Sequence, residues 1–338
     1  MLISQFFLIL QASCTFAAIF LNSFLIYVII CHTKMNIGRY KWLMVLFAAF
    51  EMIYAIVVFI GMPVNFIADN SWIVFNHAGF IGGSTLATLG PQMYCSFYEV
   101  YIGIVVVHFM YRYIAVCRRD LQHTISARLD IKCYLFILYS IHFTYCFICG
   151  VYFCTRSEIS LRMREKIQEE FHIRLYEPIG YILLRIKTLD GHYSFGGIIS
   201  IINHLGLVSL SVAIIIFCGY NIHYEIKNMQ KNCINLRNLR LQRQIFTVLL
   251  IQSIIPIFLC HIPSLIYLTF PIWNEDTSFG SISSIFSLLT AIPKVLDPII
   301  VICFIRDYTK AVKRIFGLEP AIFHIGSAGI TQVSSTVN

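Results

Sequence analysis

Three hydrogen-bonding side chains, Asn22, Glu51 and Asp297, interrupt stretches of sequence that are otherwise almost wholly apolar. Each lies about nine or ten residues, or ~14–15 Å at helical rise, from the nearest polar joint at His32, Lys41 or Arg306. Polar groups at that depth in lipid are costly, so they mark sites or networks. Three at one depth predict a buried, hydrated cluster. Two readings fit it: a switch that holds water or a cation and rearranges between states, or a static network fastening helices together. A second set shares one line. At 100° per residue, Tyr94, Tyr98, Tyr101, Val105, His108 and Arg112 stay within roughly 40° of each other. A lipid-facing stripe would not hold three tyrosines, a histidine and an arginine, so this one is predicted to point inwards. Tyrosine combines an apolar face with one hydroxyl, which suits a small-ligand cavity and serves interhelical packing equally well. Glu99 falls about 140° from the stripe but matches the depth of Lys294. Lys294 has two candidate partners, Glu99 across the bundle or Asp297 three residues on. His204 and His261 read as packed histidines, since no second ligand stands at metal spacing. Tyr94, Tyr98, Tyr101, Glu99, His261 and Lys294 are the candidate ligand contacts.

The elements that must position these residues follow from composition. Apolar residues make up 58% of the 338, charged residues only 12%, and the mean hydropathy is +0.76. A soluble domain needs about 25% charge to cover its surface. A hydrocarbon core roughly 30 Å thick takes about 20 apolar residues as helix, and backbone in lipid must satisfy its own hydrogen bonds. Seven stretches meet that length: 7–31, 42–61, 93–116, 133–153, 197–220, 245–270 and 281–305. The predicted fold is all-α, a seven-transmembrane bundle over 1–312 with a short cytoplasmic tail, 313–338.

Lys and Arg set the orientation. They crowd the first, third and fifth joints and the tail, whereas the second and sixth joints and the N-terminus have none. Only the fourth joint, 154–196, runs against the pattern, and there six acids offset seven basic residues. The N-terminus is therefore predicted outside, as an uncleaved signal-anchor, and the C-terminus inside. The formal charge of +8 is a topology signal that also favours anionic lipid; it is too divided for a nucleic-acid surface. Most of the twelve cysteines fall within spans, so they do not form a disulfide framework, although a Cys95–Cys154 bridge stays open. Cys146 and Cys149 read as small packing residues. The motifs of soluble hydrolases and nucleotide-binding enzymes are absent, and no enzyme activity or cofactor is expected. Pro256, Pro263, Pro293 and Pro298 each free a backbone carbonyl and create a kink that can serve as a hinge.

Several blocks resemble the nematode Str-type chemoreceptors, a group of serpentine G-protein-coupled receptors. They are Gly38-Arg-Tyr-Lys-Trp-Leu-Met44, Phe50-Glu51, Tyr94-Cys95, and His108-Phe-Met-Tyr-Arg-Tyr-Ile-Ala-Val116. Further along stand Leu241-Gln-Arg-Gln-Ile-Phe246, Gln252-Ser-Ile-Ile-Pro256, Ile262-Pro263, Asp297-Pro298 and Ile305-Arg-Asp-Tyr308. The resemblance implies a multi-pass plasma-membrane receptor of a sensory-neuron cilium. It would bind a small odorant or soluble chemical and activate a heterotrimeric G protein. Arg112 then takes the place of the arginine in the rhodopsin-like Asp-Arg-Tyr triad, with Tyr113, Arg118, Arg240 and Arg243 beside it as coupling residues. Tyr111 stands where that triad has its acid, so the inactive state must be held in another way. The family's Pro-x-x-Asp-Pro is one residue longer here, Pro293 to Pro298, and carries Lys294. A ligand-gated cation channel subunit with seven helices is the alternative, and the Lys/Arg distribution opposes the N-inside topology it would need.

Overall fold

A computed structural model describes residues 2–32, 40–68, 71–76, 89–118, 141, 144, 159, 161–171, 181–187, 191–231, 236–273 and 285–318. The elements are helices α1 (Leu2–His32), α2 (Tyr40–Gly61), α3 (Leu89–Cys117), α4 (Leu161–Phe171), α5 (Phe195–Lys231) and α6 (Leu236–Pro256). A π-turn (Ile257–His261) follows, then α7 (Ile262–Trp273), α8 (Ile285–Phe304) and α9 (Arg306–Ile315). Strands β1 (Pro63–Ala68), β2 (Ser71–Asn76) and β3 (Tyr181–Arg185) form one sheet. Among the described residues six helices are long and apolar enough to cross a membrane, with α6, the π-turn and α7 making one of them. The predicted span at 133–153 lies outside the described residues apart from Ile141 and Thr144, as do Cys146, Cys149, Cys154 and the tail beyond 318.

The bundle is held by two apolar cores at the end that carries Arg112. Leu25, Ile29, Leu43, Met44, Ile245, Val248, Val301 and Tyr308 join α1, α2, α6, α8 and α9. Val105, Phe109, Ile215, Ile222, Phe246 and Leu249 join α3, α5 and α6. Helix α5 runs to Lys231, eleven residues past its apolar stretch. Those residues are polar but keep Ile222, Ile226 and Met229 buried on one side. Hydropathy marks only the part in lipid; the i, i+4, i+7 face carries the helix further.

Prolines shape α8 and the π-turn. A proline removes the donor for the carbonyl four residues back. Pro298 frees the Lys294 carbonyl, and Asn22 Nδ2 of α1 donates to it at 3.1 Å. Pro293 frees the Leu289 carbonyl, which receives Cys260 Sγ at 3.6 Å. Ahead of Pro263 the helix widens instead, and the Ile262 N–H reaches back to Ile257 O. Such π-turns occur disproportionately at functional sites.

The sheet was not predicted. It caps the bundle end opposite Arg112, with β2 antiparallel to both β1 and β3. Period-two alternation sends Val64, Phe66, Ile73, Phe75 and Leu183 to one face, where α4 covers them with Met163, Ile167 and Phe171. The other face sets Trp72, Val74, Ile182 and Leu184 against α3, α5 and α7. Helix α4 thus packs on the cap. The cap is fastened tightly: a Cβ on Gly197 of α5 would stand 2.0 Å from Arg185 O, and Ser194 N donates to Ile186 O at 2.7 Å.

Candidate functional site

Helix α3 runs through the middle of the bundle, and all six residues of its predicted stripe are buried. Tyr94 and Arg112 lie eighteen positions apart on it, or about 27 Å at helical rise. Near the cap the tyrosines join an aromatic cluster of Tyr54, Tyr94, Phe97, Tyr98 and Phe286, with Cys260. Tyr54 stacks on Phe97 with ring centroids 5.5 Å apart, and Tyr98 meets His261 at 5.3 Å and Phe286 at 6.0 Å.

Hydrogen bonds tie this cluster to the cap. Asn65 of β1 is fully buried; its Nδ2 donates to Ser287 Oγ at 2.8 Å and Tyr94 Oη at 3.4 Å, while Oδ1 accepts from Trp72 Nε1 at 3.2 Å. Tyr94 Oη also pairs with Thr290 Oγ1 at 3.1 Å, and Tyr98 Oη with His261 Nδ1 at 3.1 Å. The Tyr54 hydroxyl is buried and has no hydrogen-bond partner among the described residues, a situation that typically costs about 1–3 kcal/mol.

The acid of α3 turns elsewhere. Glu99 pairs with His204 Nδ1 of α5, whose Nε2 lies 3.1 Å from Ser264 Oγ of α7. Its angular offset from the stripe put Glu99 on the α5 side, out of reach of Lys294. Lys294 instead donates to its own helix at Thr290 O and stands 3.7 Å from the centroid of the Tyr54 ring. It makes neither of the two ion pairs open from sequence.

One turn deeper, Asn22, Glu51 and Asp297 do come together. Glu51 and Asp297 neighbour each other, with Gln252 of α6 beside the Asp297 carboxyl, and all three line one cavity. Tyr101 Oη donates to Asp297 Oδ2 at 2.5 Å, so this tyrosine belongs with the polar cluster rather than with the aromatic one. A cavity lined by Asn22, Glu51, His108, Gln252 and Asp297 has room for about one water molecule. Asn22 Oδ1, Glu51 Oε1, His108 Nε2 and Asp297 Oδ1 are buried here without a hydrogen-bond partner among the described residues. A polar cavity with several such atoms is the setting in which a bridging water is held.

At the far end Arg112 Nη1 donates to Gln242 Oε1 of α6 at 3.1 Å, and its guanidinium lies 3.8 Å from the centroid of the Tyr40 ring. Tyr40 is stacked on Tyr111 and its hydroxyl lies 3.4 Å from His108 Nδ1. Tyr113 is half-buried beside it, and Arg118, Arg240 and Arg243 are exposed around this end.

A profile of the family described as "Serpentine type 7TM GPCR chemoreceptor Str" matches residues 7–313. The chain belongs to the Str chemoreceptor family. Similar relatives include the G-protein coupled receptor str-33 of Caenorhabditis elegans, 26% identical over 88% of this chain and 87% of that protein. Serpentine receptor class r-10 of the same nematode is 21% identical over 82% of this chain and 81% of its own length. Among solved structures, squid rhodopsin superposes with a TM-score of 0.59 at 12% identity, covering 92% of this chain and 85% of its own. The fold is therefore the seven-transmembrane receptor bundle, and this Str chain is a multi-pass membrane chemoreceptor of a non-enzyme family. In this Str chain an aromatic ring and an amide hold the Arg112 guanidinium.

Sequence reading missed Tyr40, Tyr54, Asn65, Gln242 and Gln252, and saw His204 only as packing. Tyr54 had a signal, being three residues from Glu51 and so on the same helical face. Gln242 stands in a block that carries the family resemblance, though no role attached to it there, and Asn65 had no signal, being one uncharged amide in a short apolar joint.

Proposed function

We propose that this receptor binds a small environmental chemical in the aromatic cluster near the cap and activates a heterotrimeric G protein at the Arg112 end. The observation that carries the reading is the single buried line of α3, with tyrosines at one end, a polar cluster midway and a clamped arginine at the other. The N-terminus and cap face outside and the C-terminus inside, consistent with the basic residues around Arg112. The ligand contacts are Tyr94, Tyr98, His261 and Lys294, with Glu99 and Tyr101 acting through His204 and Asp297. Asn22, Glu51 and Asp297 form the polar switch, bridged by water.

A ligand can shift the bundle only by its differential affinity for the two arrangements. Prolines and the π-turn supply the bistable element, since backbone freed from regular pairing has alternatives within reach. Ligand at Tyr98 and His261 bears directly on the π-turn. Movement of α6 then takes Gln242 from Arg112 and opens a surface formed by Arg112, Tyr113, Arg118, Arg240 and Arg243. The receptor acts in the plasma membrane, in a sensory-neuron cilium.

Replacing Arg112 by Ala is expected to abolish ligand-evoked G-protein activation with surface delivery intact, measured by surface labelling alongside a calcium response. Normal signalling from a delivered mutant overturns the assignment.

A further inference from the structure

Of the tyrosines in and below the aromatic cluster, Tyr94, Tyr98 and Tyr101 all have hydroxyl partners. Tyr54 has none among the described residues. Its ring is 1% exposed, packed between Phe97 and the tilted ring of Tyr94. The Lys294 ammonium rests over the same ring and uses one of its three donors on Thr290 O. Among the described residues no carboxylate lies within ion-pairing distance of it. Two donor groups with unused capacity therefore stand on one ring, with the aromatic cluster around it and Glu51 and Asp297 farther off.

We propose that Tyr54 Oη and Lys294 Nζ are the recognition pair for the carbonyl oxygen of a small, uncharged, largely apolar ligand such as a ketone, aldehyde or ester. This rests on the placement of the ligand in the aromatic cluster and names its chemical class. Both groups donate, so the complementary atom is an acceptor. The rings around them accept an apolar body. Charge decides among acceptors. Lys294 already feels two carboxyl groups, Glu51 and Asp297, from beyond ion-pairing distance, and a carboxylate ligand would bring a third into a site of low dielectric. An amine would bring a further cation and more donors to groups that need an acceptor. A carbonyl adds an acceptor and no charge.

The first test needs no ligand. In the full-length receptor reconstituted in nanodiscs, Tyr54→Phe is expected to leave the melting temperature unchanged or raised, because it deletes a buried hydroxyl with nothing to bond. A lowered melting temperature means the hydroxyl is partnered, and overturns the proposal. The second test uses matched probes: acetophenone, ethylbenzene, α-methylbenzylamine and benzoate, with straight-chain ketone, ester, alkane, amine and acid sets. Carbonyl compounds are expected to stabilise the wild type, and Tyr54→Phe and Lys294→Met each to weaken that effect about tenfold. A panel in which no carbonyl compound binds, or in which amines or acids bind best, overturns it. If that happens while Arg112→Ala still silences the receptor, the ligand class falls and the receptor reading stands.

Discussion

Gln242 is uncharged, and this sets how firmly Arg112 is held. The bond to a neutral amide is charge-assisted from the guanidinium side only, whereas a carboxylate would add an opposite charge and a bidentate geometry. The rest of the hold is the face of Tyr40, a cation–π contact that typically adds about 0.5–2 kcal/mol. Tyr111, unable to offer a charge, stacks on Tyr40 and keeps that ring in place. The arrangement predicts opposite effects from two substitutions at one position. Gln242→Leu is expected to raise ligand-independent signalling about fivefold to tenfold, and Gln242→Glu to lower it. Basal G-protein activation at matched surface density measures both, and a change of the same sign in the two variants would refute the clamp. At this scale the sequence was half legible. Polar residues in apolar stretches announce themselves by cost and the α3 stripe by its spacing, so Asn22, Glu51, Asp297 and the stripe could be found from types and positions. Which of them touch could not. Tyr101 went to Asp297 and Glu99 to His204 because helix rotation, unseen in one sequence, decides the neighbours.

The helices were legible as elements for the same reason that lipid demands them: long apolar runs leave no other backbone solution. The strands were not. Period-two alternation marks a strand with one wet face, but β1 is buried at every position because α4 covers one face and the bundle the other. Its sequence therefore reads as a short apolar joint. The π-turn was equally silent, since two prolines predict a disturbance without saying whether the helix kinks or widens. Gly197 is the element-scale feature most open to challenge. Its bare Cα lets α5 approach the end of β3, and a methyl group there would collide with the Arg185 carbonyl. Gly197→Ala is expected to destabilise the cap by about 1–3 kcal/mol, the usual range for overpacking. The observable is reduced surface delivery together with faster proteolysis between 171 and 195. Wild-type delivery and protease resistance would mean that the close approach carries no load.

Across the whole molecule, named contacts run from Trp72 through Asn65, Tyr94, Thr290, Lys294 and Asn22 to Glu51 and Asp297, with Tyr40 and Arg112 beyond the cavity. Contiguity becomes coupling only where an element has two arrangements, and in the proposed mechanism α6 with its π-turn is that element. The direction of that coupling depends on topology. Epitope tags at the two ends are expected to stain on opposite faces of an intact cell, the N-terminal one without permeabilisation. Staining of both tags from one side would reverse or remove the account. The cap also has a consequence for how the chain is made. Strand β2 ends at Asn76 and its partner β3 begins only at Tyr181. At roughly 5–20 residues per second of synthesis, the edge of β2 waits on the order of 5–20 s for its mate to leave the ribosome. During that interval the nascent hairpin offers an unpaired, apolar border to any neighbouring polypeptide, so escort by a chaperone over this window would govern how many copies mature.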